Sequence, residues 1–181
     1  MNEKIVVSKD AFGLDFCNKC LEIHAANYGV IGSGFDTDIR KSKVTFLNGA
    51  FRHVDIYKEI LQFLNDVNTH QFQFDLMGME PPQLTEYDSA YQGEYKPHKD
   101  SYMPDENNII RKLSMVVQIT SPDNYEGGLL QFPDMKDYDE STTMAQGTAI
   151  VFPSYLLHGV TPVTSGKRKS LVVWANGPAF R

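Results

Sequence analysis

Apolar residues recur along this chain with two different spacings, and the change falls near residue 70. In Asp10–Ala26, Phe12, Phe16, Cys20, Leu21 and Ile23 fall roughly on one helical stripe. In Val54–Val67, Ile56, Ile60, Leu61, Leu64 and Val67 share a face. The spacing predicts two amphipathic helices, each packing one side on something larger. The glycine-rich, polar stretch Gly29–Gly34 between them reads as a loop. From Phe72 onward the pattern shortens to extended runs broken by Gly, Pro, Asn and Asp. Strands are expected at Gln71–Leu76, Pro82–Asp88, Gln92–Lys99, Lys112–Thr120, Gly128–Phe132, Gly147–Phe152, His158–Val163 and Lys169–Ala175. Short strands with turn signals between them point to a sandwich, barrel or jelly roll. Two longer intervening stretches, Tyr102–Arg111 and Pro133–Gln146, are expected to border a site in the barrel mouth.

With 181 residues, 41% hydrophobic and 22% charged, the chain has the make-up of an ordinary globular protein. One domain is expected over 1–181, with 1–70 as helical support and about 71–181 as the β core. No apolar run approaches the roughly 20 residues that span a bilayer. MNEKIVVSKD lacks the apolar stretch of a signal peptide. A soluble, cytoplasmic protein with no membrane partner is therefore expected. The net charge of −6 argues against a nucleic-acid backbone as partner. Cys17 and Cys20 form a C-x-x-C, but a zinc site would want a second ligand pair at matching spacing, and the sequence offers none. On a helix face they read as partly buried thiols.

Candidate chemistry centres on PHKD. Side chains at i and i+2 of a strand share a face, so an extended Tyr91–Ser101 would project His98 and Asp100 together. His158, sixty residues on in FPSYLLHGV, is a third candidate ligand. Two His and one carboxylate on one face of a metal suit non-haem Fe(II) oxygen chemistry. A turn from Thr161-Pro162 to Gly166 is expected to send the His158 strand back antiparallel to the strand with Arg168. Arg168 offers a rigid fork for a carboxylate. Ser170, two residues on, faces the same way, and the pair suits the far carboxylate of a dicarboxylic acid. Taken singly, these residues have plainer readings. Arg168 would be a surface ion pair beside Lys167 and Lys169, and His158 a satisfied, half-buried histidine. Tyr87, Tyr91 and Tyr95 would be aromatic core. His24, His53 and His70 read as structural or surface residues.

The order His-x-Asp, then His, then Arg ten residues later resembles the Fe(II)/2-oxoglutarate-dependent dioxygenases, in particular their prolyl-4-hydroxylase-like branch. The similarity runs from about Leu84 to Trp174, through TEYDSAYQGEYKPHKD, RKLSMVVQITSPDNYEGGLLQF and GTAIVFPSYLLHGVTPVTSGKRKSLVVW, with the closing GPAF. The resemblance implies a double-stranded β-helix, or jelly roll, braced by helices. It implies that His98, Asp100 and His158 ligate iron and that Arg168 binds the C5 carboxylate of 2-oxoglutarate. It places Tyr87 facing the co-substrate, with Tyr91 and Tyr95 as alternatives. Trp174 matches an aromatic wall, and Gln118 a further co-substrate contact. Leu129 departs from the pattern, since many relatives carry an acidic residue after the two glycines. The implied activity consumes O2 and 2-oxoglutarate, releases succinate and CO2, and hydroxylates a C–H bond. Its target would be a prolyl or other residue of a peptide or protein, or a small molecule, with ascorbate as a further cofactor. A nucleic-acid demethylase of the same superfamily would want a second arginine where Trp174 stands. A cupin-like metal-binding module without oxygenase activity would not explain Arg168 with Ser170.

Overall fold

Helix α2 shows why the N-terminal third folds as it does. In the computed structural model, which describes residues 4–26, 35–36, 39–101 and 103–180, the strand β1 (Val6–Ser8) and helix α1 (Leu14–Ala26) come first. Strands β2 (Phe35–Asp36), β3 (Arg40–Lys41) and β4 (Lys43–Phe46) follow, and then α2 (Val54–Val67). α2 carries several β-branched residues, each a few tenths of a kcal/mol poorer than alanine in a helix. Ile56, Ile60, Leu64 and Val67 are all buried, each side chain contributing about 1.5–3 kcal/mol. Docking therefore outweighs propensity. Leu61, expected on the same face, is exposed.

The β core comprises β5 (Gly78–Met79), β6 (Gln83–Asp88), β7 (Glu94–His98), β8 (Ile109–Gln118), β9 (Tyr125–Gly127), β10 (Leu130–Gln131), β11 (Ala149–Pro153), β12 (His158–Val160) and β13 (Val163–Pro178). The larger sheet runs β1-β11-β8-β13-β6-β4, with β5 and β9 also paired to β13. The smaller runs β10-β12-β7-β3-β2. The two antiparallel sheets form an open jelly roll braced by the helices. Strand alternation sorts the larger sheet's side chains. Leu84, Leu113, Met115, Val117, Val151, Leu171 and Val173 face the helices, packing with Phe16, Cys17, Cys20 and Ile60. Tyr87, Val116, Ile150 and Phe152 face the other way, against Leu130, Phe132 and Val160. The same alternation along β13 places Arg168, Ser170, Val172 and Trp174 on that inner face. Among the described residues no helix is long and apolar enough to cross a membrane.

Several expectations change. Gln71–Leu76 is not a strand. A π-type turn covers Asn68–Phe72, and the Asn68 side-chain amide then brackets Phe74, accepting from its N–H and donating to its carbonyl, both at 2.9 Å. The first seventy residues hold β1, β2, β3 and β4 as well as helices, strands too short to show a period. The Gly29–Gly34 loop lies outside the described residues. The expected hairpin between the His158 and Arg168 strands does not form, because β12 and β13 belong to different sheets. The connection is tied instead to the double-glycine turn. Thr161 N–H donates to Leu129 O, Gly128 N–H to Pro162 O, and Leu129 N–H to Thr161 Oγ1. The C-x-x-C thiols are free and buried, and burial pushes the Cys20 thiol up to about 12.

Candidate metal centre

His98 and His158 sit directly opposite each other where β7 pairs with β12. Asp100 lies two residues beyond the end of β7, so strand alternation alone does not place it. The N–H groups of Asp100 and Ser101 both donate to Ser154 O, at 2.9 and 3.0 Å, which turns the carboxylate toward the two rings. Asp100 Oδ1 is 3.6 Å from His98 Nε2, and Oδ2 is 3.3 Å from His158 Nε2. The three ligand atoms all lie within 4.8 Å of one another.

Hydrogen bonds around the triad fix which atoms face its centre. His98 Nδ1 lies 2.9 Å from Lys96 O, and His158 Nδ1 lies 2.9 Å from Leu156 O. A carbonyl only accepts, so each Nδ1 carries a proton, and each Nε2 faces the Asp100 carboxylate from the side a metal would take. Ser114 Oγ donates to Asp100 Oδ2 at 2.7 Å and is itself 2.9 Å from Ser154 Oγ. Burial pushes the Asp100 carboxyl up, but the His158 and His98 rings and the Ser114 hydroxyl overcome this and hold it well below the usual carboxylate range. Tyr95 stacks on His98 at 3.5 Å between ring centroids, and Phe152 packs edge-on to His158 at 4.6 Å. Two nitrogens and an ionised carboxylate oxygen, locked by their neighbours, are a donor set that fits Fe(II).

The triad opens on a cavity of about 260 Å³ whose wall also includes Tyr87, Tyr95, Ser170 and Trp174. Arg168 lies beyond the open part of that wall, 1% exposed and directly opposite Tyr87 in the sheet. Its Nε and Nη2 donate to Gln118 Oε1 at 3.2 and 3.0 Å, while Nη1 is buried without a partner. Among the described residues no carboxylate pairs with it. A buried cation with a spare donor and no counter-charge is costly to keep unless an anion arrives. The Tyr125 hydroxyl is also buried without a partner, and Arg168 acts on it electrostatically, opposing the upward push of burial. Burial likewise raises the Tyr87 phenol, with Arg40 and Arg168 opposing, so at neutral pH it is an intact O–H donor. Gly128 makes room for this arrangement. Its φ is +60°, and a Cβ there would stand 2.9 Å from Arg168 Cδ.

The structure thus brings His98, Asp100 and His158 together and puts Tyr87 and Ser170 on the wall of one cavity. Tyr91 is elsewhere, with its hydroxyl on Glu86 O. Gln118 holds Arg168. Residues 134–143 line a groove of about 580 Å³ against β1, and from the same segment Tyr138 packs edge-on to Phe132 at 4.7 Å, within electrostatic reach of Arg168. Residues 103–110 line a groove next to Asp100, as expected of that segment. Sequence reasoning missed Ser114, Ser154 and Tyr125. Only the strand register of β8 could have flagged Ser114, because it faces inward with Val116 and Gln118.

Comparison with known proteins defines the class. Residues 82–176, just over half of the chain, match the sequence model of the 2OG-Fe(II) oxygenase superfamily, and the chain belongs to that superfamily. Among curated proteins it is similar to a PKHD-type hydroxylase of Psychrobacter sp. (strain PRwf-1), 40% identical over 93 residues, which cover 48% of this chain and 35% of that protein. The chain spans about a third of the length of the curated relatives it matches. Among solved structures it resembles the viral collagen prolyl hydroxylase of Paramecium Bursaria Chlorella virus-1 in its 2OG complex, with a TM-score of 0.75, 18% identity and 96% of both chains covered. It also resembles a Trichoplax adhaerens prolyl hydroxylase in complex with a hypoxia inducible factor oxygen degradation domain peptide fragment. That match has a TM-score of 0.69, 15% identity, and covers 96% of this chain and 84% of the other. At these identities the structural likeness is one of fold.

Proposed function

We propose that this chain is an Fe(II)- and 2-oxoglutarate-dependent hydroxylase acting on a C–H bond of a prolyl or other amino-acid residue. The observation that carries this reading is the juxtaposition of the His98–Asp100–His158 donor set with a buried, uncompensated Arg168 at the same end of the jelly roll. Iron with 2-oxoglutarate supplies an oxidant strong enough to break an unactivated C–H bond, the co-substrate leaving as succinate and CO2. His98 and His158 present Nε2 because their Nδ1–H groups are held by backbone carbonyls. Asp100 stays ionised and is oriented by Ser114 and Ser154. Arg168 receives the far carboxylate of the co-substrate on Nη1 and Nη2, with the Tyr87 and Tyr125 hydroxyls as further donors and Ser170 beside them. Leu130, Phe132, Phe152 and Val160 keep water from the interior.

Residues 1–181 act as one unit in this reading, in the cytoplasm, which two free thiols fit. The demethylase reading finds Trp174 where it wants an arginine, with the Arg111 guanidinium stacked on the indole at 4.0 Å. The test is aerobic incubation with Fe(II), 2-oxoglutarate, ascorbate and a panel of prolyl peptides and free amino acids. Succinate release with a matching gain of one oxygen atom on a panel member is expected. Bound Fe(II) and 2-oxoglutarate with no succinate from any mixture would refute the assignment.

A further inference from the structure

Across the inner face of the larger sheet, Ile150, Val116, Val172, Gln83 and Phe46 stand side by side in register on β11, β8, β13, β6 and β4. The other four are apolar, and Gln83 breaks the row. The residue is nonetheless only 3% exposed, and it lines the cavity shared by His98, Asp100 and His158. Its Nε2 donates to Thr85 Oγ1 at 2.8 Å. Thr85 lies two residues deeper on the same face, toward the Tyr87–Arg168 end, so this bond anchors the amide and turns Oε1 toward the mouth. An apolar side chain would complete the row, whereas a buried amide oxygen is retained where a donor meets it. Neither the metal ligands nor the Arg168 end uses this group.

An amide oxygen accepts hydrogen bonds and donates none. The co-substrate is a poor match for it, because every oxygen of 2-oxoglutarate, on two carboxylates and a ketone, also accepts. Its far carboxylate is taken at the row of Arg168, four residues and roughly 13 Å along β13 from the row of Gln83. The carboxylates on the same wall are engaged elsewhere, Glu80 by the Arg111 fork and Asp100 by the two rings and Ser114. We propose that Gln83 Oε1 accepts a hydrogen bond from the N–H of the residue being hydroxylated, which makes Gln83 a specificity-determining residue. This rests on the function proposed above and narrows it. A free amino acid, proline included, brings an ammonium N–H, and a residue inside a polypeptide brings its amide N–H. A prolyl residue inside a polypeptide has no N–H and is the poor substrate. The cavity, about 260 Å³, lies below the usual range for ligand pockets, so the N–H and the target C–H belong to one compact residue.

The test measures succinate release by the Fe(II)-loaded protein at saturating 2-oxoglutarate, using pairs that differ by methylation of the nitrogen. One arm sets the proteinogenic L-amino acids against their fully N-methylated betaines, which keep the positive charge. The other sets N-acetyl amino-acid amides against their N-methyl counterparts, with acetyl-prolyl-amide alongside. In the effective arm the N–H member should exceed its partner in kcat/KM by about tenfold or more, as expected when a buried acceptor loses its donor. Gln83→Met, similar in length but without the acceptor, should bring the pair within about threefold. The same variant should keep the wild-type midpoint of the anaerobic visible band of chelated 2-oxoglutarate. Gln83→Glu, which keeps an acceptor, should keep the preference. Response in the first arm assigns a free amino acid; response in the second alone assigns a residue in a polypeptide. Equal or greater activity of the N-methylated partners overturns the proposal, as does acetyl-prolyl-amide as the best substrate. So does a preference that survives Gln83→Met, a weakened midpoint in that variant, or the failure of every probe in a protein that chelates 2-oxoglutarate. Absence of the band in the wild-type protein overturns instead the underlying oxygenase reading.

Discussion

Arg168→Met separates two opposed effects of burying a guanidinium. In the ligand-free protein the side chain is 1% exposed, donates to Gln118 Oε1 and holds its guanidinium 5.5 Å from the centroid of the Tyr87 ring. Exchanging a buried ion for an apolar side chain of similar length relieves desolvation by about 1–4 kcal/mol. Leaving Gln118 Oε1 without a donor costs about 1–3 kcal/mol. The two nearly cancel, so the ligand-free variant should melt within a few degrees of wild type. The bound state behaves differently. Removing one partner of a desolvated charge pair costs about 2–5 kcal/mol, a loss in 2-oxoglutarate affinity of roughly thirtyfold to several thousandfold. With Mn(II) replacing iron to prevent turnover, 2-oxoglutarate at 100 times the wild-type Kd should add about 2.7 kcal/mol to wild-type stability. At about 2–4 °C per kcal/mol this is a rise in Tm of roughly 5–10 °C. The variant should gain less than about 1 kcal/mol under the same conditions. Differential scanning fluorimetry with and without 2-oxoglutarate reads both numbers. An equal gain in the variant would refute the role given to Arg168, and a ligand-free variant more than about 10 °C less stable would make the residue structural.

Two further predictions concern other parts of the molecule. Ser114→Ala removes the 2.7 Å donor to Asp100 Oδ2 and should weaken metal binding about 10–100-fold in a chelator competition, with little change in Tm. Glu86, buried between β6 and α1, has its carboxyl held down to about 2 by the His24 ring, against burial, with Lys169 and Lys167 adding to the effect. A depressed folded-state value gives stability that is present above about pH 4.5 and lost as pH falls toward 2. About 2 kcal/mol should disappear between pH 7 and pH 3, measured by urea unfolding, and Glu86→Gln should lose that part of the slope.

How far the sequence could be read depended on whether a residue's role is local. α2 was legible because its burial follows a helical period, and β8 and β11 because their runs are long or strongly apolar. His98, Asp100 and His158 were legible as residue types, but the reason Asp100 faces the rings was not. That reason is the Ser154 carbonyl, more than fifty residues away in the chain. The His158–Arg168 connection was misread because a Thr-Pro turn signal is local, whereas the bonds tying it to Leu129 and Gly128 are not. The Asn68 bracket on Phe74 overrode the extended pattern of residues 71–76 in the same way. Tyr125 carried no signal, since it matters only through the strand it pairs with. Arg168 looked like part of a basic surface turn beside Lys167 and Lys169, yet alternation turns it inward while Lys167 and Lys169 reach Asp88 and Glu86.

The central claim is that His98, Asp100 and His158 hold one Fe(II) that chelates 2-oxoglutarate. Adding Fe(II) and 2-oxoglutarate to metal-free protein under anaerobic conditions tests it most directly, by the visible charge-transfer band of the chelated co-substrate. The account predicts a band that needs both components and is lost in His158→Ala and Asp100→Ala. Iron bound at this triad with no band, or a band that survives both substitutions, would contradict it.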